Sequence, residues 1–267
     1  MKASPAARRV AIVALAACVT DARGAVAQSV GARVAVADGT VQVIFPSRPN
    51  VCGDGRTYIR NAFGNDSYVG SDVVGGQRDD WRTRPCARGP VRAVATVIDH
   101  EVTRIRSYVG PVPSARPDVR TIEAGAAEAA AWLGELVSHG SQRPASDAML
   151  PLILADAPPP WPLLLQVARD TERPRAVRGS ALLWLSNAVS EHLGIARADG
   201  HDSDDDEMRT QAVFVLSQRP RSESVPQLIE LARTSPRPAA RRAAIFWLGQ
   251  SGDARAADVY AELLGIR

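Results

Sequence analysis

The sequence predicts an α+β protein in which a small antiparallel β domain precedes a solenoid of paired α-helices. Apolar residues alternate with a period of about two between residues 30 and 110, and with a period of about 3.6 after residue 118. One pattern also recurs at intervals of 31 and 32 positions in the second half. A chain of 267 residues is long enough for two modest domains, each with its own core. We therefore expect three segments: 1–27, 28–117 and 118–267.

Residues 1–27 predict a secretory signal peptide. Lys2, Arg8 and Arg9 form a basic start, and Val10–Ala17 is a run of eight apolar residues. A run of this length is too short to span a bilayer, but it suits the apolar part of an export signal. We therefore expect the protein to be exported to the periplasm or the cell envelope.

Two processing sites fit this signal, and both remain open. Ala25–Ala27 is a signal-peptidase motif, which gives a mature chain that begins at Gln28. Leu15–Cys18 is similar to the lipobox of bacterial lipoproteins, in which Cys18 becomes the acylated first residue. The mature protein is expected to be either free or anchored to a membrane through Cys18, without a membrane-spanning helix.

The net charge of +3 lies entirely within the predicted signal peptide. That segment contains four basic residues and one acidic residue, so the remainder of the chain is neutral. Proteins that bind nucleic acids neutralise phosphates with a surplus of lysine and arginine. We therefore expect no nucleic-acid partner.

Two β-hairpins are predicted in the N-terminal segment. Asp38–Gly39 is a strong turn signal, and the alternating segments 33–37 and 40–45 flank it. A second hairpin is expected between Val91–Ile98 and Val102–Val109, with its turn in the three residues that separate them. Several prolines between residues 111 and 117 then predict the end of the β segment.

Cys52 and Cys86 are the cysteines that remain after the signal peptide. Neither lies in a C-x-x-C motif or near a histidine pair, so a usual zinc site is excluded. In an oxidising compartment we expect a disulfide between them, which holds the intervening glycine-rich loop against the sheet. Closing this loop stabilises the fold by about 3–4 kcal/mol in the chain-entropy model.

The repeated pattern is the most specific signal in the chain. Three predicted helices share an arginine, an alanine three positions later and an apolar run, and their alanines are Ala181, Ala212 and Ala244. A second element, Trp161–Asp170, matches Val225–Thr234 after 64 positions, and residues 257–266 occupy the same phase 32 positions later. A helix pair of this length cannot bury its apolar face alone, so neighbouring pairs must stack.

This period resembles the HEAT-like repeats of the family that includes phycobilisome lyase subunits. The resemblance covers about residues 145–267 and concerns the architecture. It implies a protein-binding scaffold, because HEAT solenoids generally present extended surfaces to protein partners.

Aromatic residues at matching positions of the repeated helices are expected to form the core between repeats. The arginines that open the pattern are expected to pack their stems across the stack and to pair with nearby acids. The aromatic set is Trp184, Phe214, Phe246 and Trp247, and the arginine set is Arg178, Arg209 and Arg241.

Residues 201–207 form the densest acidic cluster of the chain. A calcium loop of the EF-hand type needs glycine at its sixth position and glutamate at its twelfth, where this chain has Glu207 and Val213. A capped helix start explains the cluster, while a metal-sensing protein remains an alternative.

No nucleophile, nucleotide-binding or zinc-protease motif is found in the sequence. Deoxyhypusine hydroxylase is built from related repeats and uses several His–Glu pairs for iron, whereas His100–Glu101 is the only such pair here. We therefore expect a protein without catalytic residues or a cofactor. A lyase-like protein that holds a ligand between repeats is the other alternative.

The expected function is a non-enzymatic envelope scaffold that binds a protein partner through a HEAT-repeat surface. Polar positions of the second helices in each repeat are expected to form columns on this surface. These candidate partner-binding residues are Gln166, Arg169, Gln227, Glu230, Arg233 and Glu262.

Overall fold

The computed structural model describes residues 28–60, 66–68, 86–195 and 204–266. The predicted signal peptide, including Cys18, lies outside these residues. Within them, no helix is long and apolar enough to cross a membrane. The described chain contains two small β-sheets followed by a run of helices, so the α+β class is confirmed.

The strands form one sheet of four strands and one of three. The larger sheet has the order β6–β5–β1–β7, and the smaller has the order β2–β3–β4. The strands are β1 (Gly39–Phe45), β2 (Cys52–Gly53), β3 (Tyr58–Arg60), β4 (Asp66–Tyr68), β5 (Val91–Ile98), β6 (Glu101–Val109) and β7 (Val119–Glu123).

The helices lie in two layers. The helix α1 (Val30–Val34) is a single short turn, and the longer helices follow the larger sheet. These are α2 (Ala126–His139), α3 (Gln142–Leu154), α4 (Trp161–Arg169), α5 (Arg175–His192), α6 (Asp204–Ser217), α7 (Arg221–Thr234), α8 (Pro238–Ser251) and α9 (Arg255–Leu263).

The hairpin predicted around Asp38–Gly39 is wrong. Residues before it form α1 instead of a strand, and β1 pairs antiparallel with β5 and parallel with β7. The Ser29 hydroxyl accepts a hydrogen bond from the Ala32 backbone N–H at 3.2 Å, which caps this helix. Its first and last residues are both buried, so one helical face packs where an alternating strand was expected.

The second predicted hairpin is confirmed, since β5 and β6 pair antiparallel. Asp99 and His100 form its turn, with φ angles of 52° and 65°. The Asp38 carboxylate accepts hydrogen bonds from the backbone N–H groups of His100 (2.9 Å) and Asp99 (3.0 Å). These bonds lower the pKa of Asp38 and attach the start of β1 to the β5–β6 turn.

The disulfide between Cys52 and Cys86 is confirmed, with Cα atoms 5.1 Å apart. Gly53 and Ala87 exchange two backbone hydrogen bonds of 3.0 and 2.9 Å beside it. The bridge and these hydrogen bonds join the chain before β5 to the smaller sheet. The loop between the cysteines is only partly described.

The strand β7 lies beyond the predicted end of the β segment at residue 117. It pairs parallel with β1, and its Ile122 side chain is buried in the core. The first long helix then begins at Ala126, where the Glu128 carboxylate accepts a hydrogen bond from the Gly125 N–H at 3.0 Å. One continuous apolar cluster joins the larger sheet to the helices, with α3 packed on β5 and β6. The division into two domains stays a prediction.

The order in which the helices pack differs from their order in the chain. One layer runs α3–α5–α8–α6 and the other runs α2–α4–α9–α7, because α8 packs against both α5 and α6. In a regular solenoid each repeat stacks on the next one in sequence. Here the last pair, α8 and α9, lies between α4–α5 and α6–α7.

A close contact between α5 and α8 fixes this order. A Cβ atom at Gly249 would lie 3.1 Å from the Leu182 carbonyl oxygen and 3.2 Å from the Ser186 Cβ. The Tyr260 hydroxyl donates a hydrogen bond of 2.6 Å to the Ile245 carbonyl and joins α9 to α8. Burial raises the pKa of Tyr260 well above its usual value, so this donor stays protonated.

Two of the four aromatic residues expected in the core are exposed. Trp184 and Trp247 pack against the core, but Phe214 is 36% exposed and Phe246 is 40% exposed. For Phe214 the reason is that its helix, α6, lies at the end of its layer. Among the described side chains of α6 only Val213 is buried. Phe246 lies on α8, where its ring packs against that of Trp247.

The arginines of the repeated pattern pair locally where the structure gives their partners. Arg209 contacts Asp206 at 3.1 Å and Asp205 at 3.3 Å, within α6. The Arg241 Nε donates to the Ala232 carbonyl at 2.8 Å, between α8 and α7. The pairing with nearby acids is confirmed for Arg209, whereas Arg241 binds a backbone carbonyl instead.

We predict that Gly249→Leu lowers the free energy of unfolding by about 1–3 kcal/mol or more, because a larger side chain forces α5 and α8 apart. The matched control is Gly179→Leu in α5, where a Cβ meets no atom within 4 Å. That change should stabilise the protein slightly, since leucine favours helix over glycine. Urea unfolding of both variants tests this, and equal effects would contradict the close packing at Gly249.

Candidate protein-interaction surface

The candidate surface is built from three helices of one layer. The helix α9 packs between α4 and α7, so the exposed side chains of the three helices form one continuous surface. We call it the α4–α9–α7 face. It consists of Gln166 and Arg169 on α4, Asp258 and Glu262 on α9, and Gln227, Glu230 and Arg233 on α7.

All six side chains predicted to bind a partner lie on this face, and all are exposed. Sequence spacing placed them at matching positions of successive repeats. The structure brings them together differently, because α9 and not α7 is the neighbour of α4. Their role in binding stays a prediction.

Two ion pairs cross the boundaries between these helices. On the α4 side, the Arg169 Nη2 lies 2.9 Å from the Asp258 Oδ1, and its Nε lies 3.0 Å from the same oxygen. On the α7 side, the Arg233 Nη2 and Nε lie 2.6 and 3.1 Å from the Glu262 Oε2. Positive, negative and positive side chains therefore follow one another across the face.

Asp258 is the member of this face that the sequence argument missed. It lies four residues before Glu262, so both carboxylates lie on one side of α9. This spacing was visible in the sequence. The partner helix was not, because α9 lies next to α4 although α7 comes before it in the chain.

The side chains at the α7 edge keep polar atoms available to solvent. The Gln227 Nε2 donates to the Glu223 carbonyl at 3.2 Å, within α7. The Glu230 Oε1 accepts a hydrogen bond from the Thr234 hydroxyl at 3.2 Å. Each contact leaves further acceptor positions on the side chain. A protein partner with complementary charges and hydrogen-bonding groups fits such a surface.

The acidic cluster at residues 201–207 was the alternative candidate for a metal site. Residues 201–203 of this cluster lie outside the described part of the chain. Within the described residues, no group of three or more histidine, cysteine, aspartate or glutamate side chains could hold a metal ion. Asp205 and Asp206 at the start of α6 contact Arg209 instead.

Comparison with protein families identifies the repeats. Residues 196–265, which include α6 to α9, match a model of HEAT repeats. The C-terminal part of the chain therefore contains HEAT repeats, as the 32-residue period predicted. HEAT repeats commonly mediate protein interactions. Comparisons with curated proteins and with solved structures found no match.

We predict that the ion pairs of this face contribute little to stability. The variant Arg233→Ala should change the free energy of unfolding by less than about 1 kcal/mol, because exposed pairs are well screened. The variant Leu228→Ala removes a fully buried side chain of the same helix and should cost about 2–5 kcal/mol. Urea unfolding compares the two, and a loss at Arg233 as large as at Leu228 would contradict an exposed, screened pair.

Proposed function

We propose that this protein is a non-enzymatic scaffold of the cell envelope that binds a protein partner through the α4–α9–α7 face. The observation that carries the proposal is the convergence of six exposed polar side chains from three helices on one face of a HEAT-repeat stack. Repeat stacks of this kind present extended surfaces to partners.

The charge pattern of the face supports recognition by complementary charges. Arg169 and Arg233 lie on the outer helices and the two carboxylates of α9 lie between them. A partner that presents acidic groups to the outer helices and basic groups to the middle one would exchange these intramolecular pairs for intermolecular ones. Such pairs govern specificity and association rate more than total affinity.

The proposed location in the envelope rests on two observations. The first residues have the pattern of an export signal, and the chain carries a disulfide between Cys52 and Cys86. Disulfides form and persist in oxidising compartments. The predicted routes, release after Ala27 or lipidation of Cys18, both lead to that location.

The test is crosslinked capture of partners from envelope extract with residues 28–267 as bait. The helices share a core with the sheet, so we keep the whole chain and change only surface charges. The double variant Glu230→Arg/Arg233→Glu reverses two charges of the face at constant net charge. It should reduce capture of a partner by about tenfold or more, because like charges then meet.

The matched control is Glu207→Arg/Arg219→Glu. It makes the same two changes at exposed positions on and just after α6, in the other layer. Capture should be unchanged in this variant. If both variants capture the partner as well as the natural sequence does, the α4–α9–α7 face does not bind it. If both lose it equally, the loss is not specific to this face.

A further inference from the structure

The larger sheet has a second face, opposite its apolar one, which is polar and concave. Side chains alternate along each strand, so the face opposite Val91 and Ala93 carries the even-numbered residues of β5. Arg92 is among them, and Arg106 and Tyr108 of β6 lie on the same face by register. This face encloses a cavity of about 390 Å³.

Arg92 is a buried cation at this cavity. Its side chain is 6% exposed, and its Nη2 donates to the Gly55 carbonyl at 2.6 Å. The guanidinium lies over the Tyr108 ring, 4.9 Å from its centroid, and its Nη1 lies 3.4 Å from the Gln42 Oε1. The Nε is buried without a hydrogen-bond partner. Burial lowers the pKa of Arg92, and the nearby Tyr108 hydroxyl group opposes this effect only in part.

The surroundings hold Arg92 in place. The Gln42 Nε2 donates to the Thr121 hydroxyl at 2.7 Å, which orients the amide oxygen toward Arg92. Gly55 has a φ of 74°, and a Cβ there would lie 2.3 Å from the Pro111 carbonyl oxygen. Only glycine therefore allows the close approach that places the Gly55 carbonyl on the guanidinium.

Three further arginines line the cavity. Arg104 and Arg106 are two residues apart on β6 and make no ion pair with the described part of the chain. Arg116 lines it too, but contacts Asp118 at 3.0 Å. None of the described residues that line the cavity is an aspartate or a glutamate. The buried guanidinium of Arg92 and the more exposed ones of Arg104 and Arg106 thus share one concave site, and no carboxylate of the described residues lines it. An unpaired buried cation is costly, so a bound anion would stabilise Arg92.

We propose that this cavity binds a small molecule through its phosphate group. Guanidinium groups match the oxygens of phosphate with paired hydrogen bonds, and the free Nε of Arg92 supplies a buried donor. Three positive charges favour a dianion over a singly charged carboxylate. The volume exceeds that of phosphate alone and lies in the range of small-molecule sites, so the rest of a small phosphomonoester fits beside Tyr108.

The test is isothermal titration calorimetry of residues 28–267 with glucose 6-phosphate at constant ionic strength, with glucose and acetate as comparison ligands. We expect saturable binding of glucose 6-phosphate and none of glucose. Binding should strengthen between pH 5 and pH 7.5, because a phosphomonoester becomes a dianion near pH 6. Acetate that binds as well as the phosphate would overturn the choice of ligand.

The variants separate specific binding from general attraction. Arg106→Gln removes an exposed cation of the cavity and should weaken binding about tenfold, as loss of a charged hydrogen bond does. Arg143→Gln removes an exposed cation from α3, away from the cavity, and should leave affinity unchanged. Equal affinities for both variants and the natural sequence, or no saturable binding at all, would overturn the proposal. The outcome is independent of the protein-interaction face, because neither arginine lies on it.

Discussion

The close approach of α5 and α8 is the contact on which the arrangement of the helices depends. Gly249 leaves no room for a side chain between these helices, and Tyr260 fixes α9 to α8 with a buried hydrogen bond. Together they hold the last helix pair next to α4–α5. The helix α6, with a single buried side chain among those described, is then left at the end of its layer. The exposure of Phe214 follows from that position.

The same contact creates the α4–α9–α7 face. Had the pairs stacked in chain order, α7 would lie beside α4, and Arg169 and Arg233 would be like charges on neighbouring helices. With α9 between them, each arginine meets a carboxylate. The pairs add little stability because they are exposed. In the proposed function they present an ordered charge pattern, while the buried contacts below them hold the helices.

Local sequence patterns predicted most of the helices and strands. Which helix or strand each of them packs against depends on contacts between residues far apart in the sequence. The 32-residue period identified the repeated helices, and the turn at Asp99 and His100 identified the β5–β6 hairpin. The prediction of the first hairpin was wrong because the Asp38 carboxylate binds the backbone of the β5–β6 turn. The residues that it contacts there, Asp99 and His100, lie 61 and 62 positions away in sequence. The order in which the helices stack could not be predicted for a similar reason, since it depends on close contacts between distant segments, such as that of Gly249 with Leu182. Arg92 gave no sequence signal, because an arginine in an alternating strand is usually exposed.

Crosslinking between α4 and its neighbour tests the order of the helices directly. Cysteines are introduced at Arg169 and Asp258 in one variant, and at Arg169 and Glu230 in another, and a short thiol crosslinker spanning about 8 Å is added. Neighbouring helix axes are about 8–10 Å apart, whereas helices separated by a third are about twice as far. With α9 between α4 and α7, we expect an efficient crosslink between positions 169 and 258 and none between 169 and 230. The reverse result would mean that the repeats stack in chain order, and the face described above would not exist.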